Sequence, residues 1–310
     1  MKQVTAFAPA TVANVSCGFD ILGFAIDELG DRVRINLSDN GELKVKEITG
    51  DDGRLPVEVD KNTCSVAIQA MLDALGIKQG MDIHLYKGLP LGSGMGSSAA
   101  SAAAALVAAN ELLGKPFEKK DLVPFAMEAE RIACGAAHAD NVAPSILGGF
   151  VLIRGYDPLD VVKLPVPDGL YCTLVHPHLE LKTADSRSVL RQRISLKESV
   201  VQSGNIAGLI AGLFQSDFEL ISRSLKDVIA EPSRALLIPG FYELREAIRS
   251  IGALGSGISG SGPTIFILSK GKDIALKASQ ESKKVFEKIG LGVDIYVSEV
   301  NDRGAYLQTP

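Results

Sequence analysis

The most informative stretch of this sequence is Pro90-Leu91-Gly92-Ser93-Gly94-Met95-Gly96-Ser97-Ser98-Ala99-Ala100-Ser101. An alanine-rich run follows it as far as Leu113. Glycine lets the backbone adopt positive φ and alanine is the best helix former, so the stretch predicts a loop that leads into a helix. Ser97 or Ser98 is predicted to cap that helix, because a serine hydroxyl accepts a hydrogen bond from a first-turn N–H. Gly114 and Pro116 mark the end of the helix.

The start of this helix is a predicted phosphate site. The first N–H groups of a helix have no partner within it, and the helix dipole is positive at that end, so an anion is favoured there. The stretch is neither a Walker A loop nor a Rossmann fingerprint. A Gly/Ser-rich turn before a well-packed helix is the purely structural alternative. Residues 82–86 alternate like a strand just upstream, so the predicted unit is strand, glycine-rich loop and helix.

The composition is that of an ordinary globular protein. The chain has 310 residues, 46% of them hydrophobic and 22% charged, with a net charge of −5. This length predicts about two domains. We expect no nucleic-acid partner, because no basic run is present. We expect no membrane span either, because the longest apolar run, residues 102–109, is much shorter than the ~20 residues needed. A cytoplasmic location is predicted from four scattered, unpaired cysteines: Cys17, Cys64, Cys134 and Cys172.

The order P-x-x-x-G-x-G-S-S-A at residues 90–99 resembles the second motif of the GHMP kinases, whose loop surrounds the phosphates of ATP. The resemblance implies ATP as cosubstrate. It also places the adenine near Asn62, the predicted cap of the helix at residues 62–75. Lys87, three residues before Pro90, is either a solvated surface lysine or a residue near the nucleotide. The implied ATP-binding residues are Asn62, Lys87, Pro90, Leu91, Gly92, Ser93, Gly94, Met95, Gly96, Ser97, Ser98, Ala99, Ala100 and Ser101.

A second motif, P-A-T-x-A-N-x-S-x-G-F-D-x-L-G, occupies residues 9–23. Polar Asn14 and Asp20 in an otherwise apolar segment are typical of a small-ligand pocket, although turn or cap residues are the structural alternative. The motif resembles the first GHMP motif in the members that phosphorylate L-homoserine. This resemblance implies that Asn14 and Asp20 face the amino-acid substrate. An anionic Asp20 would then pair with the substrate ammonium group.

The helix predicted after Asp121 carries a candidate metal ligand. The resemblance implies that Glu130 and the hydroxyl of Ser98 hold Mg²⁺, a hard cation that prefers oxygen ligands. For Glu130, as for Glu128, an ordinary surface charge is the alternative.

The run H-x-D-N-x-A-P at residues 138–144 resembles the same branch of the family and implies that His138 and Asn141 contact the substrate. Many relatives have an aspartate as general base where this chain has Asn141. An amide cannot accept that proton, and the sequence leaves the direction of Asp140 open. We therefore expect catalysis without a strong protein base, in which Asn141, Ser98 and Glu130 act through positioning and charge neutralisation.

The second half supplies candidate partners for a substrate carboxylate. The pattern K-T-A-x-x-R at residues 182–187 resembles the carboxylate site of the family, and Arg234 in E-P-S-R fits the same role. Arginine suits bidentate capture of a carboxylate. Residues 255–264 match G-x-G-x-x-G, but a helix precedes them and a strand follows, the reverse of a dinucleotide site. They resemble the third GHMP motif instead. The implied substrate-binding residues are Asn14, Asp20, His138, Asn141, Thr183, Arg187, Arg234 and Gly260.

The resemblance implies an α+β, two-domain GHMP kinase fold. The N-terminal half, residues 1–154, is expected to bind ATP on a ribosomal S5 domain 2-like unit with a left-handed βαβ crossover. The C-terminal half, residues 155–310, is expected to be ferredoxin-like. Alternating residues at 33–37 and 43–47 predict an antiparallel hairpin in the first half.

The implied activity is ATP-dependent phosphorylation of the side-chain hydroxyl of L-homoserine, a step toward threonine, by a homodimer. A mevalonate-type kinase and a non-catalytic nucleotide or amino-acid sensor on the same fold are the alternatives. Asn141 and the two arginines, Arg187 and Arg234, argue against the first. The magnesium ligands, Ser98 and Glu130, argue against the second.

Overall fold

The computed structural model describes residues 2–135 and 137–308. The strands are β1 (Gln3–Ala13), β2 (Leu22–Ser38), β3 (Leu43–Thr49), β4 (Gly80–Tyr86), β5 (Phe150–Tyr156), β6 (Leu159–Leu164), β7 (Leu170–Pro177), β8 (Gly255–Ile258), β9 (Ile265–Lys270), β10 (Val293–Glu299) and β11 (Tyr306–Leu307). The helices are α1 (Thr63–Leu75), α2 (Ser97–Leu112), α3 (Val123–Cys134), α4 (Val142–Leu147), α5 (Thr183–Ser188), α6 (Leu196–Gln215), α7 (Phe218–Ser224), α8 (Glu231–Arg234), α9 (Phe241–Ser250) and α10 (Lys272–Ile289).

The first sheet has the strand order β11-β1-β2-β4-β3, and the hairpin β5–β6 is attached to β2. The predicted hairpin of residues 33–37 with residues 43–47 is wrong. Strand β4 pairs antiparallel with β2 and parallel with β3, so it lies between the two. A parallel pair needs a crossover, and helix α1 provides it, which makes β3, α1 and β4 one βαβ unit. The left hand of this crossover stays a prediction.

Helix α2 lies in the centre of the N-terminal half. Residues 99–110 of this helix are all buried, as expected for a helix that is apolar on every side. The predicted cap is wrong, because Gly96, with φ of 67°, is the N-cap residue and no side chain caps the helix. Ser97 and Ser98 are instead the first helical residues. The first-turn N–H groups therefore lack a side-chain cap.

The second sheet is antiparallel with the order β10-β7-β9-β8. With helices between β7 and β8 and helix α10 between β9 and β10, this is the predicted ferredoxin-like half. Helices α5 to α9 all lie between β7 and β8. Phe24 of the first sheet packs against Phe150 and, across the two halves, against Phe266, with ring centroids 4.6 and 6.1 Å away.

The first sheet uses strands from beyond residue 154, where we predicted the domain boundary. Strand β6 ends at Leu164, and β11 returns from the C-terminal end of the chain to pair with β1.

Cys17, Cys64 and Cys172 are buried free thiols, and the side chain of Cys134 lies outside the described part. Within the described residues, no helix is both long enough and apolar enough to cross a bilayer.

Candidate active site

A cavity of about 710 Å³ brings together residues from both halves of the chain. The predicted ATP-binding residues that line it are Asn62, Lys87, Leu91, Gly92, Ser93, Gly94, Gly96, Ser97, Ser98 and Ser101. The predicted substrate and metal residues that line it are Asn14, Asp20, Glu130, His138, Asn141, Thr183, Arg187, Arg234 and Gly260. Stretches more than a hundred residues apart in sequence therefore meet in one pocket.

The glycine-rich loop has the backbone that its sequence requires. Gly92, Gly94 and Gly96 have φ of 65°, 79° and 67°, a region that other residues rarely adopt. A Cβ on Gly94 would lie 2.5 Å from the carbonyl oxygen of Ser259 and 2.7 Å from that of Gly262. The loop therefore packs directly against the third motif, and glycine at position 94 makes this approach possible.

Hydrogen bonds join the first motif (residues 9–23), the glycine-rich loop and the third motif (residues 255–264) to each other. The N–H of Thr11 donates to the carbonyl of Met95, and the Ser259 hydroxyl donates to the carbonyl of Gly94, at 3.1 and 2.7 Å. The side-chain amide of Asn14 donates to the carbonyl of Gly260 at 2.6 Å. The loop is thus held on two sides, which limits how far it can move when a ligand binds.

Four of the predicted ATP-binding residues do not line the cavity: Pro90, Met95, Ala99 and Ala100. The side chains of Met95, Ala99 and Ala100 are fully buried in the hydrophobic core. The N–H of Ala100 already donates to the carbonyl of Gly96 at 2.9 Å. Met95, Ala99 and Ala100 therefore pack in the hydrophobic core and do not face the cavity.

The predicted cap role of Asn62 is confirmed, since its side chain accepts a hydrogen bond from the N–H of Cys64.

The candidate metal ligands lie next to each other. The Ser98 hydroxyl donates to Oε1 of Glu130 at 2.6 Å, and Glu130 is only 5% exposed. Hydroxyl and carboxylate oxygens suit Mg²⁺, which usually keeps several waters and binds substrate phosphates as well. The pair therefore fits this ion. Among residues 2–135 and 137–308, no group of three or more His, Cys, Asp or Glu side chains forms a metal site.

In the same cavity, Arg187 binds Asp20 through both Nη atoms of its guanidinium group. Nη1 and Nη2 donate to the two carboxylate oxygens at 3.2 and 2.9 Å. Nη2 also lies 2.8 Å from Nε2 of His138. A guanidinium only donates, so Nε2 accepts and this imidazole is neutral. Burial lowers the pKa of His138, as does the charge of Arg187, while Asp20 opposes the shift.

Arg234 forms the buried side of the same subsite. It is 4% exposed and donates to the carbonyls of Ser186 and Gly260 at 3.0 and 3.1 Å. Its guanidinium carbon lies 5.0 Å from the ring centroid of Phe19. Burial and the nearby charge of Arg187 lower its pKa, yet an arginine stays protonated in proteins. Two cationic guanidinium groups therefore belong to one small subsite.

Asn141 is fixed by its contact with the first motif. The Thr11 hydroxyl donates to Oδ1 of Asn141 at 2.8 Å. A Cβ on Gly96 would lie 2.0 Å from this hydroxyl and 2.9 Å from Oδ1 of Asn141. Because Oδ1 already accepts from Thr11, the amide of Asn141 is held in one orientation beside the phosphate loop.

Asp140 is the important residue whose role the sequence left open. The residue is 3% exposed and is one of those that line the cavity. Burial raises the pKa of its carboxyl to about 7, and the neighbouring carboxylates of Asp20 and Glu130 add to this shift.

The cavity also contains Arg54 and Glu180, which form an ion pair of 2.8 Å between the two halves. No local sequence pattern marks that pair.

Comparisons with known proteins agree with this geometry. The family model for the N-terminal domain of GHMP kinases matches residues 62–149, and the model for their C-terminal domain matches residues 209–288. A homoserine kinase of Chlorobium phaeobacteroides strain BS1 is 54% identical over 98% of this chain and 99% of the relative. The chain belongs to the homoserine kinase family of GHMP kinases. The predicted α+β, two-domain GHMP kinase fold is therefore confirmed.

One solved structure supports this membership in the homoserine kinase family, and a more distant one shows the same fold. The crystal structure of homoserine kinase from Cytophaga hutchinsonii ATCC 33406 is 56% identical, covers 99% of this chain and 98% of its own, and has a TM-score of 0.97. Mevalonate kinase from Methanococcus jannaschii, at 15% identity, shares the fold with a TM-score of 0.68 over 96% of this chain and 98% of its own. Family membership implies the use of ATP.

Proposed function

We propose that this chain transfers the γ-phosphoryl group of ATP to the side-chain hydroxyl of L-homoserine, giving ADP and O-phospho-L-homoserine. The observation that carries the proposal is the arrangement of one cavity. The same cavity is lined by a loop suited to phosphate and by Asp20, Arg187 and Arg234. This product would place the reaction on the route to threonine.

The charges of the second subsite match a free amino acid. Asp20 and Arg187 neutralise each other in this structure through a bidentate ion pair. A zwitterion can replace that pair completely, because its ammonium binds Asp20 while its carboxylate binds Arg187 and Arg234. Mevalonate has a carboxylate but no ammonium, so it would take Arg187 from Asp20 and leave Asp20 partly unpaired in a half-buried site. Galactose has neither charge and would use none of the charged groups of this subsite.

Ser98 and Glu130 would hold Mg²⁺ together with phosphate oxygens of the nucleotide. When bound, the ion would neutralise the charge that develops on the transferred phosphoryl group. The N–H groups at the start of helix α2 would act on the same phosphates, since no side chain caps that end of the helix.

Asp140 is the group best suited to receive the proton of the substrate hydroxyl. Asn141 is an amide and cannot accept it. Asp140 is one of the residues that line the cavity, and the raised pKa of its carboxyl, about 7, lies close to the operating pH at which a general base works best. Asn141, held by Thr11, would orient the substrate. In a loose phosphoryl-transfer transition state this base contributes less than positioning and charge neutralisation.

The test is ADP release by the purified protein with Mg·ATP and one acceptor at a time: L-homoserine, L-serine, mevalonate or galactose. We expect turnover that is selective for L-homoserine. Selective turnover of mevalonate or galactose would reject the assignment of Asp20 and Arg187 to a zwitterion. ATP binding without turnover of any acceptor would favour the sensor.

Two predictions from the sequence remain part of this proposal. The family resemblance implies a homodimer, which light scattering coupled to size exclusion would test. A cytoplasmic location was predicted from the scattered cysteines, and fractionation of the source cells would test it.

A further inference from the structure

Asp31, on strand β2, is a buried carboxylate with all its acceptor positions in use. It is 0% exposed. Its Oδ1 accepts from the N–H groups of Gly88 and Leu89 at 2.9 and 3.2 Å. Its Oδ2 accepts from the Ser101 hydroxyl at 2.7 Å and from the ammonium of Lys87. An ionised carboxylate offers about four lone-pair positions, so this network is complete.

Lys87 is equally committed to the network. Its ammonium donates to Asp31, to the carbonyl of Ser97 at 3.0 Å and to the hydroxyl of Ser101 at 3.0 Å. An ammonium has three N–H donors, and these acceptors use all three. The side chain is 1% exposed. All three donors of the Lys87 ammonium are used within the protein, which favours a supporting role over direct contact with a phosphate or a base. Its place among the ATP-binding residues stays a prediction.

The partners of Asp31 flank the phosphate loop on both sides. Gly88 and Leu89 immediately precede the loop residues 90–96. Ser97 and Ser101 belong to the first turns of helix α2, immediately after them. A single buried ion pair thus holds both ends of the loop at a fixed separation.

We propose that Asp31 and Lys87 are positioning residues for phosphoryl transfer, which hold the loop 90–96 so that its N–H groups face the triphosphate. The inference rests on the proposed function, because it takes the loop as the ATP site. Stability alone does not require such a pair, since a buried ion pair replaced by neutral residues of similar size often leaves a protein as stable as before. Geometry of the loop is the property that neutral residues would not reproduce.

The test is the double variant Asp31→Asn, Lys87→Met, in which both charges are removed together. The double change avoids the buried unpaired charge that either single change would leave. Unfolding by urea measures stability, calorimetry measures binding of Mg·ATP without acceptor, and steady-state kinetics give KM for ATP and for L-homoserine separately. We expect ATP affinity to fall about tenfold or more, since small misplacements of binding groups have effects of this size. We expect KM for L-homoserine to change less than about threefold.

Two further variants keep the inference testable. Ser101→Ala removes one link to Asp31 without altering a charge, and we expect a smaller loss of ATP affinity in the same direction. Phe286→Leu, in the buried core of the C-terminal half, is the control for lost stability and should leave ATP affinity unchanged. Wild-type ATP affinity in both the double variant and Ser101→Ala would overturn the inference. A wild-type protein that binds Mg·ATP but transfers no phosphoryl group would reject the proposed function. The comparison of ATP affinities would still test whether Asp31 and Lys87 position the loop.

Discussion

Replacing Gly96 by alanine should damage the site more than the fold. Gly96 has φ of 67°, and a Cβ there would lie 2.0 Å from Oγ1 of Thr11 and 2.9 Å from Oδ1 of Asn141. The left-handed conformation costs a non-glycine residue about 1 to 2 kcal/mol. Displacement of Thr11 adds about 1 to 3 kcal/mol of overpacking. We expect Gly96→Ala to lower the free energy of unfolding by about 2 to 5 kcal/mol in total.

The same displacement breaks the hydrogen bond from Thr11 that orients Asn141, and it shifts the phosphate loop. We expect kcat/KM to fall about 100-fold, the scale associated with a misplacement of about 1 Å. Gly114→Ala is the matched control, because Gly114 has φ of 82° and no atom within 4 Å of a Cβ position. The Gly114→Ala variant should lose only the stability that the left-handed conformation costs, about 1 to 2 kcal/mol, and should keep its activity. Equal stability and equal kcat/KM in the two variants would refute the steric reasoning.

Three further predictions concern individual side chains. Arg187→Lys should raise KM for L-homoserine about 10- to 100-fold and leave ATP binding unchanged, because a bidentate charge-assisted contact worth about 1.5 to 3 kcal/mol is lost. Steady-state kinetics in which each substrate is varied in turn measure both KM values. Glu130→Gln should raise the Mg²⁺ concentration for half-maximal rate at least about 10-fold, measured by magnesium titration; an unchanged titration would exclude Glu130 as a ligand. Asp140 must be ionised to accept a proton, so kcat/KM should rise with pH and level off above about 7. In Asp140→Asn this rise should disappear from the pH–rate profile, and a variant that keeps it would rule out Asp140 as the base.

The sequence was sufficient where local chemistry determines local structure. Glycines at positions 92, 94 and 96, followed by alanines, require a loop with positive φ and then a helix, and both are present. The order of strands and helices in the second half likewise led to the ferredoxin-like sheet. The three motifs that resemble GHMP kinases lie around one cavity, although contacts with nucleotide, metal and substrate stay predictions.

Long-range pairing was the part that the sequence did not reveal. Residues 33–37 and 43–47 alternate as a hairpin would, but the crossover through α1 inserts β4 between their strands. Lys87 precedes the loop and carries the charge that suits a phosphate, yet its partner is Asp31, 56 residues away. The direction of the Asp140 side chain depends on the packing of α4 and the loop before it. None of these contacts has a signature within a short window of sequence.

The most direct test of the central claim is ³¹P NMR of the protein with Mg·ATP and L-homoserine. We expect the resonances of ATP to be replaced by those of ADP and by a phosphomonoester resonance that coincides with authentic O-phospho-L-homoserine. The ester should not form when mevalonate replaces L-homoserine. ADP with inorganic phosphate in place of the ester, or unchanged ATP, would contradict the claim that this cavity aligns an amino-acid hydroxyl with the γ-phosphoryl group.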